Sequence, residues 1–285
     1  MKKRYAALIF CAIGLLLGSV TSEAKKKPSV TAESAIVMDV QSGAILYEKN
    51  IDKREYPASI TKVMTALVAI ENSSLSETVT YSRNAVTNLE SGASNIEIQP
   101  GEKLSMEDSL YAILLMSANE ACNGVAEHVA GSIDNFVAMM NQKAKELGCT
   151  GTHFANANGL WMSNHYTTAH DMALISQEAY KNPTFAKITG TKRYIINKTK
   201  KHAKRYLHNH HGMLYPSTFT QYLYEYCVGG KTGYTAAAGL CLASLATVNG
   251  KEYILVTLAA PGDHGTEQYN IRDAVQVYQK LAEKK

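Results

Sequence analysis

Apolar residues at Ile60, Val63, Met64, Leu67 and Ile70 recur at the spacing of one helix face. Pro57 suits the first turn of that helix, where a missing N–H costs nothing. Between Glu55 and Glu71 the only charged residue is Lys62. A helix this apolar buries most of its surface, so the pattern predicts a desolvated Lys62. Upstream, 34–39 and 44–47 read as two strands joined by a turn at Gln41-Ser42-Gly43. Residues 75–104 carry short apolar runs among Ser, Thr, Asn and Gly and read as turns and small strands. Helices follow over 106–116, 120–129 and 133–147, the last two stopped by Gly131 and Gly148. An irregular Asn- and Gly-rich loop (154–166) precedes a helix over 168–180. Residues 194–207 alternate basic and apolar positions without Pro or Gly and predict an exposed strand pair or loop. Three strands in hairpin succession cover 226–232, 239–247 and 252–260, with the second turn at Asn249-Gly250. An amphipathic helix over 266–284 closes the chain. Strands at both ends with helices between them predict one sheet built from both termini and a helical insertion, an α/β (α+β) chain.

Composition narrows this picture. A 285-residue chain with 46% hydrophobic and 19% charged residues is a packed globular protein. Its start, Met1-Lys2-Lys3-Arg4, is basic, 5–20 are apolar, and Ser22-Glu23-Ala24 supplies small residues for cleavage. Residues 1–24 therefore read as a secretory signal peptide, with an uncleaved N-terminal anchor as the alternative. Losing Lys2, Lys3, Arg4 and Glu23 lowers the net charge from +4 to +2, which makes no case for nucleic acid. Cys122, Cys149, Cys227 and Cys241 remain, widely spaced. An exported chain could pair them three ways, while a chain of this size holds a core without staples and can bury them as free thiols. Neither C-x-x-C nor H-E-x-x-H occurs, so no metal or other cofactor is expected.

The chemistry sits in three short stretches. Ser59-Ile-Thr-Lys62 puts a hydroxyl one helical turn from a desolvated amine, an activated-nucleophile arrangement; read alone, Ser59 could equally be a cap and Lys62 could reach water. Ser117-Ala-Asn119 lies between two predicted helices and can present both polar groups to one cleft, or simply cap a turn. Lys231-Thr-Gly233 breaks an apolar strand, with glycines on both sides that admit a close neighbour. A phosphate loop is excluded here, because the position that needs its first glycine is Glu225.

S-x-x-K, S-x-N and K-T-G in this order are the motif set of penicillin-binding proteins and class A β-lactamases. With Pro57 to Leu67, Gly148 to Phe154, Asn158-Gly-Leu160 and Thr168-Ala-His-Asp-Met-Ala173, the chain resembles the low-molecular-mass penicillin-binding proteins, the serine-type D-alanyl-D-alanine carboxypeptidases, from about Ser34 onward. The resemblance implies an antiparallel sheet flanked by helices, plus a helical subdomain, with the site between them. It implies that Ser59 is the nucleophile, that Lys62 takes its proton, and that Ser117 relays a proton to the leaving D-alanine. Asn119 would hold the peptide amide. Lys231 would supply positive charge and help keep Lys62 neutral, and Thr232 would bind the terminal carboxylate, with Thr235 as a further donor. The backbone N–H groups of Ser59 and Tyr234 would form the oxyanion hole. The partners implied are a peptidoglycan pentapeptide stem ending in D-Ala–D-Ala and β-lactam antibiotics, with peripheral or no membrane contact. The location implied is outside the cytoplasmic membrane, with 25–285 as the catalytic domain and neither the C-terminal β domain nor the anchor that many relatives carry.

Other readings stay open. Class A β-lactamases deacylate with a glutamate, and between Leu147 and Gln177 the only carboxylate is Asp171. A peptidoglycan-binding relative without catalysis would not need Lys62. His202, His208, His210 and His211 form a histidine-rich run, but without the spacing of a zinc peptidase. Where some relatives have an arginine, His210 stands; a histidine there would titrate near 6.5 and make substrate capture pH-sensitive.

Overall fold

The computed structural model describes residues 29–87, 89–216 and 223–283; the expected leader at 1–24 lies outside the described residues. A five-stranded antiparallel sheet has the order β2-β1-β9-β8-β7, made of β1 (Ser34–Asp39), β2 (Ile45–Lys49), β7 (Cys227–Thr235), β8 (Gly239–Val248) and β9 (Lys251–Ala260). Strands from the two ends of the chain thus meet at its centre, Ile36 opposite Val256. Successive side chains on a strand point to opposite faces. Ile36 and Met38 accordingly enter the core shared with the helices of the middle of the chain, and Ala35 and Val37 enter the core under the closing helix. Both faces are covered, which is why β1 reads as a continuous apolar run.

One face carries α1 (Lys62–Asn72), α3 (Met106–Leu115), α4 (Asn119–Ala130), α5 (Ile133–Glu146) and α6 (Ala169–Tyr180), and the other carries α8 (Tyr269–Ala282). Ser105, Ser132 and Thr168 cap α3, α5 and α6 through their hydroxyls, each accepting an N–H three residues on. Gly131 and Gly148 take the left-handed conformation expected where helices stop. The helix predicted from 266 starts at Tyr269, because Asp263 and Thr266 bind each other's backbone in a turn. Two helices escape the periodicity reading: α2 (Arg83–Thr87) and α7 (Pro183–Gly190). Both are too short for a repeating face, though Asn182-Pro183 is a capping signature, with Asn182 accepting the Thr184 N–H. The alternating run at 194–207 is a hairpin, β5 (Arg193–Ile196) with β6 (Arg205–His208); a ribbon of β3 (Thr78–Thr80) and β4 (Lys103–Ser105) completes the elements.

Cys122, Cys149, Cys227 and Cys241 are free thiols. Among the described residues no helix is long and apolar enough to cross a membrane.

Candidate active site

A 3₁₀ turn (Ala58–Thr61) leads into α1 and carries Ser59. Ala58, just before it, is left-handed (φ +48°), a conformation that costs a residue with a Cβ and persists only where packing imposes it. The packing is visible: Gly159 sits so close that a Cβ there would lie 2.0 Å from the Ala58 carbonyl oxygen.

Lys62 is fully buried, with its Nζ 2.9 Å from Ser59 Oγ, 2.8 Å from Asn119 Oδ1 and 2.5 Å from the Asn158 carbonyl oxygen. Asn119 Nδ2 donates to the Ser94 carbonyl, which fixes the amide so that its oxygen faces the lysine. Two of the three neighbours of Nζ therefore can only accept, and a neutral amine has two N–H donors to give them. Its lone pair is then left for the one neighbour able to donate, the Ser59 hydroxyl. Burial brings the Lys62 pKa down to about 8, against the opposing pull of Cys122 and Glu120.

Ser117 joins α3 to α4 in the left-handed conformation (φ +60°), and its buried Oγ has no hydrogen-bond partner among the described residues. Lys231 is buried on β7 and donates to the Thr232 carbonyl at 2.7 Å. Burial, then repulsion from Lys62, puts its pKa well below the ordinary value. The Lys62 pKa is likewise lowered first by burial, and repulsion between two buried amines disfavours a full charge on both.

The glycines of β7 set this geometry. A Cβ at Gly233 would lie 2.9 Å from the Ser59 nitrogen and 3.0 Å from that of Ile60, so β7 runs directly against the turn bearing the hydroxyl. A Cβ at Gly230 would lie 2.4 Å from the ring of the buried His211. Ser59, Ser117, Lys231, Thr232, Gly233, Tyr234 and His210 line one cleft of about 350 Å³.

Two of the expected residues are placed otherwise. Asn119 is buried, with both ends of its carboxamide engaged by Lys62 and Ser94. Thr235 lies outside the cleft lining, and its hydroxyl accepts the Ala238 N–H in a turn. His210 stands at the exposed rim. The protein atoms packed around the less exposed side of its ring, then the charges of Lys231, His208 and His264, lower its pKa, so the expected titration near 6.5 is displaced to lower pH. The histidines of the 202–211 run do not converge: His202 faces Glu97 at 3.6 Å, His208 and His210 sit at the cleft, and His211 is buried.

The cleft also contains Ser94, His208, His264, Gln268 and Asn270, which no motif marked. Glu120 went unmarked too. It is buried beside this site, accepts the Ile96 N–H at 2.6 Å, and so pins the loop that carries Ser94; burial raises its pKa. Its one sequence signal was its place directly after Ser117-Ala-Asn119.

A family profile described as D-alanyl-D-alanine carboxypeptidase matches residues 21–262. The D-alanyl-D-alanine carboxypeptidase DacF of Bacillus subtilis is 34% identical over 272 residues, 90% of this chain and 66% of that protein, so the chain spans less than two thirds of that relative. A D-alanyl-D-alanine carboxypeptidase of Streptomyces sp. K15 is 31% identical, with 91% of this chain and 93% of that one covered. The crystal structure of a D-alanyl-D-alanine carboxypeptidase from Mycobacterium tuberculosis H37Rv superposes with a TM-score of 0.80 at 30% identity, covering 90% of this chain and 93% of that one.

Proposed function

Since the chain belongs to the D-alanyl-D-alanine carboxypeptidase family, we propose that it hydrolyses the terminal D-Ala–D-Ala bond of peptidoglycan stem pentapeptides through an acyl-enzyme on Ser59. The observation that carries this reading is the buried Lys62 amine 2.9 Å from Ser59 Oγ, with its two other neighbours restricted to accepting. Neutral Lys62 takes the hydroxyl proton as Ser59 attacks the carbonyl carbon. The N–H groups of Ser59 and Tyr234 receive the developing oxyanion, a contribution of about 3–4 kcal/mol per donor in such sites. Ser117, with its uncommitted hydroxyl, gives its proton to the departing D-alanine nitrogen and regains one from the protonated Lys62, which is left neutral as water releases the shortened stem. Lys231 and Thr232 face the substrate's free carboxylate from β7, joined by His210 at the rim. Gly233 keeps that strand against the nucleophile, and Thr235 holds its end in a turn. Asn119 orients Lys62 through its oxygen, and the second N–H of its amide is what it can offer the stem while Ser94 keeps the first.

β-Lactams present a strained amide to the same hydroxyl, so they are proposed as covalent inhibitors. Residues 25–285 are proposed as the catalytic unit of an exported protein that acts outside the cytoplasmic membrane; the basic and apolar pattern of residues 1–24 supports this.

The test is to incubate the purified chain with a D-Ala–D-Ala-ended pentapeptide. Free D-alanine should appear with the wild type and not with Ser59→Ala. Intact-mass analysis after benzylpenicillin should show one slowly lost adduct on Ser59; an adduct that survives Ser59→Ala would overturn the assignment.

A further inference from the structure

The β5–β6 hairpin takes no part in the chemistry above, yet its two faces are built differently. Its inner face is locked down. Tyr194 stacks on Tyr111 at 3.6 Å, and its hydroxyl donates to Asp108. Arg205 is buried and donates to both oxygens of the buried Glu102, and to the carbonyls of Ile96 and Glu97. The outer face pairs Ile195 with Tyr206, which are 47% and 70% exposed and lie side by side on adjacent strands. The turn beyond them carries Lys198, Lys200, Lys201 and Lys204, all exposed. Among the described residues none of these four lysines forms an ion pair. Lys201 rests on the Pro100 carbonyl, and Lys198, Lys200 and Lys201 share a shallow cleft with Lys103. Of the carboxylates nearby, Glu102 is paired with Arg205 and accepts from Thr199, Asp108 accepts from the Tyr194 hydroxyl, and Glu97 faces His202 at 3.6 Å, so four lysines outnumber the two carboxylates that lack a lysine or arginine partner among the described residues.

We propose that this hairpin tip is a docking surface for an anionic phospholipid bilayer. The lysines supply attraction to phosphate headgroups, and Ile195 with the amphipathic Tyr206 supplies the apolar surface that enters the headgroup boundary. A soluble polyanion would engage the lysines alone and leave the apolar pair without a partner, which is why a bilayer is the better fit. His208, which lines the catalytic cleft, pairs with Arg193 at the end of the hairpin opposite this tip, so a bilayer held at the tip stands away from the cleft. The inference goes beyond the proposed activity and does not depend on it.

Hydrogen–deuterium exchange of the full chain tests it with phosphatidylglycerol-containing vesicles and with pure phosphatidylcholine vesicles. Amides of the 197–204 turn should slow with the anionic vesicles only, and high salt should reverse the effect. Any partition of residues 1–24 is common to every variant and is not read at the turn. Changing Lys198, Lys200, Lys201 and Lys204 to Gln should weaken the effect roughly fivefold per lysine. Ile195→Ser with Tyr206→Ser should weaken it at constant charge, while unaltered exchange in β8 and β9 reports an intact fold. Unchanged exchange at the turn with anionic vesicles would overturn the proposal. So would equal protection by soluble polyphosphate that the Ile195→Ser, Tyr206→Ser variant retains, an outcome that would make the tip a site for an anionic polymer.

Discussion

Lys62 Nζ has two neighbours that accept and one that can donate, and the proposed reaction depends on its being neutral. Its pKa of about 8 makes the neutral form a minority below that pH. Penicillin acylation by the wild type should therefore rise about tenfold per pH unit up to about pH 8 and then level off, as stopped-flow or labelling rates would show. Lys62→Arg keeps the charge but cannot deprotonate, so it should lose as much acylation as Lys62→Ala. His210 gives the opposite expectation. Its ring is already neutral through the physiological range, so the kcat/KM profiles of wild type and His210→Ala should run parallel between pH 6 and 8. A limb near pH 6.5 confined to the wild type would show the imidazole titrating there after all. Of these residues, Ser59, Lys62, Ser117 and Lys231 were legible as motifs. The depressed state of His210 was not, because Lys231 and His264 reach it only through the fold.

For the elements, spacing and caps predicted most helices and strands, but not how tightly β7 presses on the turn that carries Ser59. Gly233→Ala must move one of them, since its Cβ would meet the Ser59 and Ile60 nitrogens at 2.9 and 3.0 Å. A displacement near 1 Å at a reacting group costs about a hundredfold. Acylation of Gly233→Ala should fall by about that much, with a far smaller change in melting temperature. The hairpin answers to stability instead. Arg205→Met leaves Glu102 buried and unpaired, which should cost about 3–5 kcal/mol in urea unfolding. Burial alone would raise the Glu102 pKa; Arg205, the Gln99 N–H and the Thr199 hydroxyl outweigh it and bring it below the ordinary value. A carboxylate with a lowered folded pKa stabilises above its unfolded pKa, near 4.3, and loses that contribution as pH falls through the folded value. The stability gap between wild type and Arg205→Met should therefore close below about pH 4.

Across the whole molecule, the two cores either side of the sheet are large enough to stand without cross-links, and the four described cysteines are free. The full chain should yield five titratable thiols in denaturant, and a reductant should leave its melting temperature unchanged. The sequence by itself determined most of the helices and strands, α2 and α7 excepted, because periodicity, caps and turn residues are local. It also determined that both ends of the chain feed one sheet, and where the three reactive stretches lie. Only the tertiary structure decided what those residues can do. Lys62 loses its proton readily because α4 and the 154–166 loop close over it. Asn119 turns inward because Ser94 takes its other end, Glu120 reaches the Ser94 loop from just beyond a motif, and His264 joins the cleft from a segment no motif marks. A pKa or a free hydroxyl depends on which groups surround it and exclude water, and those neighbours are distant along the chain.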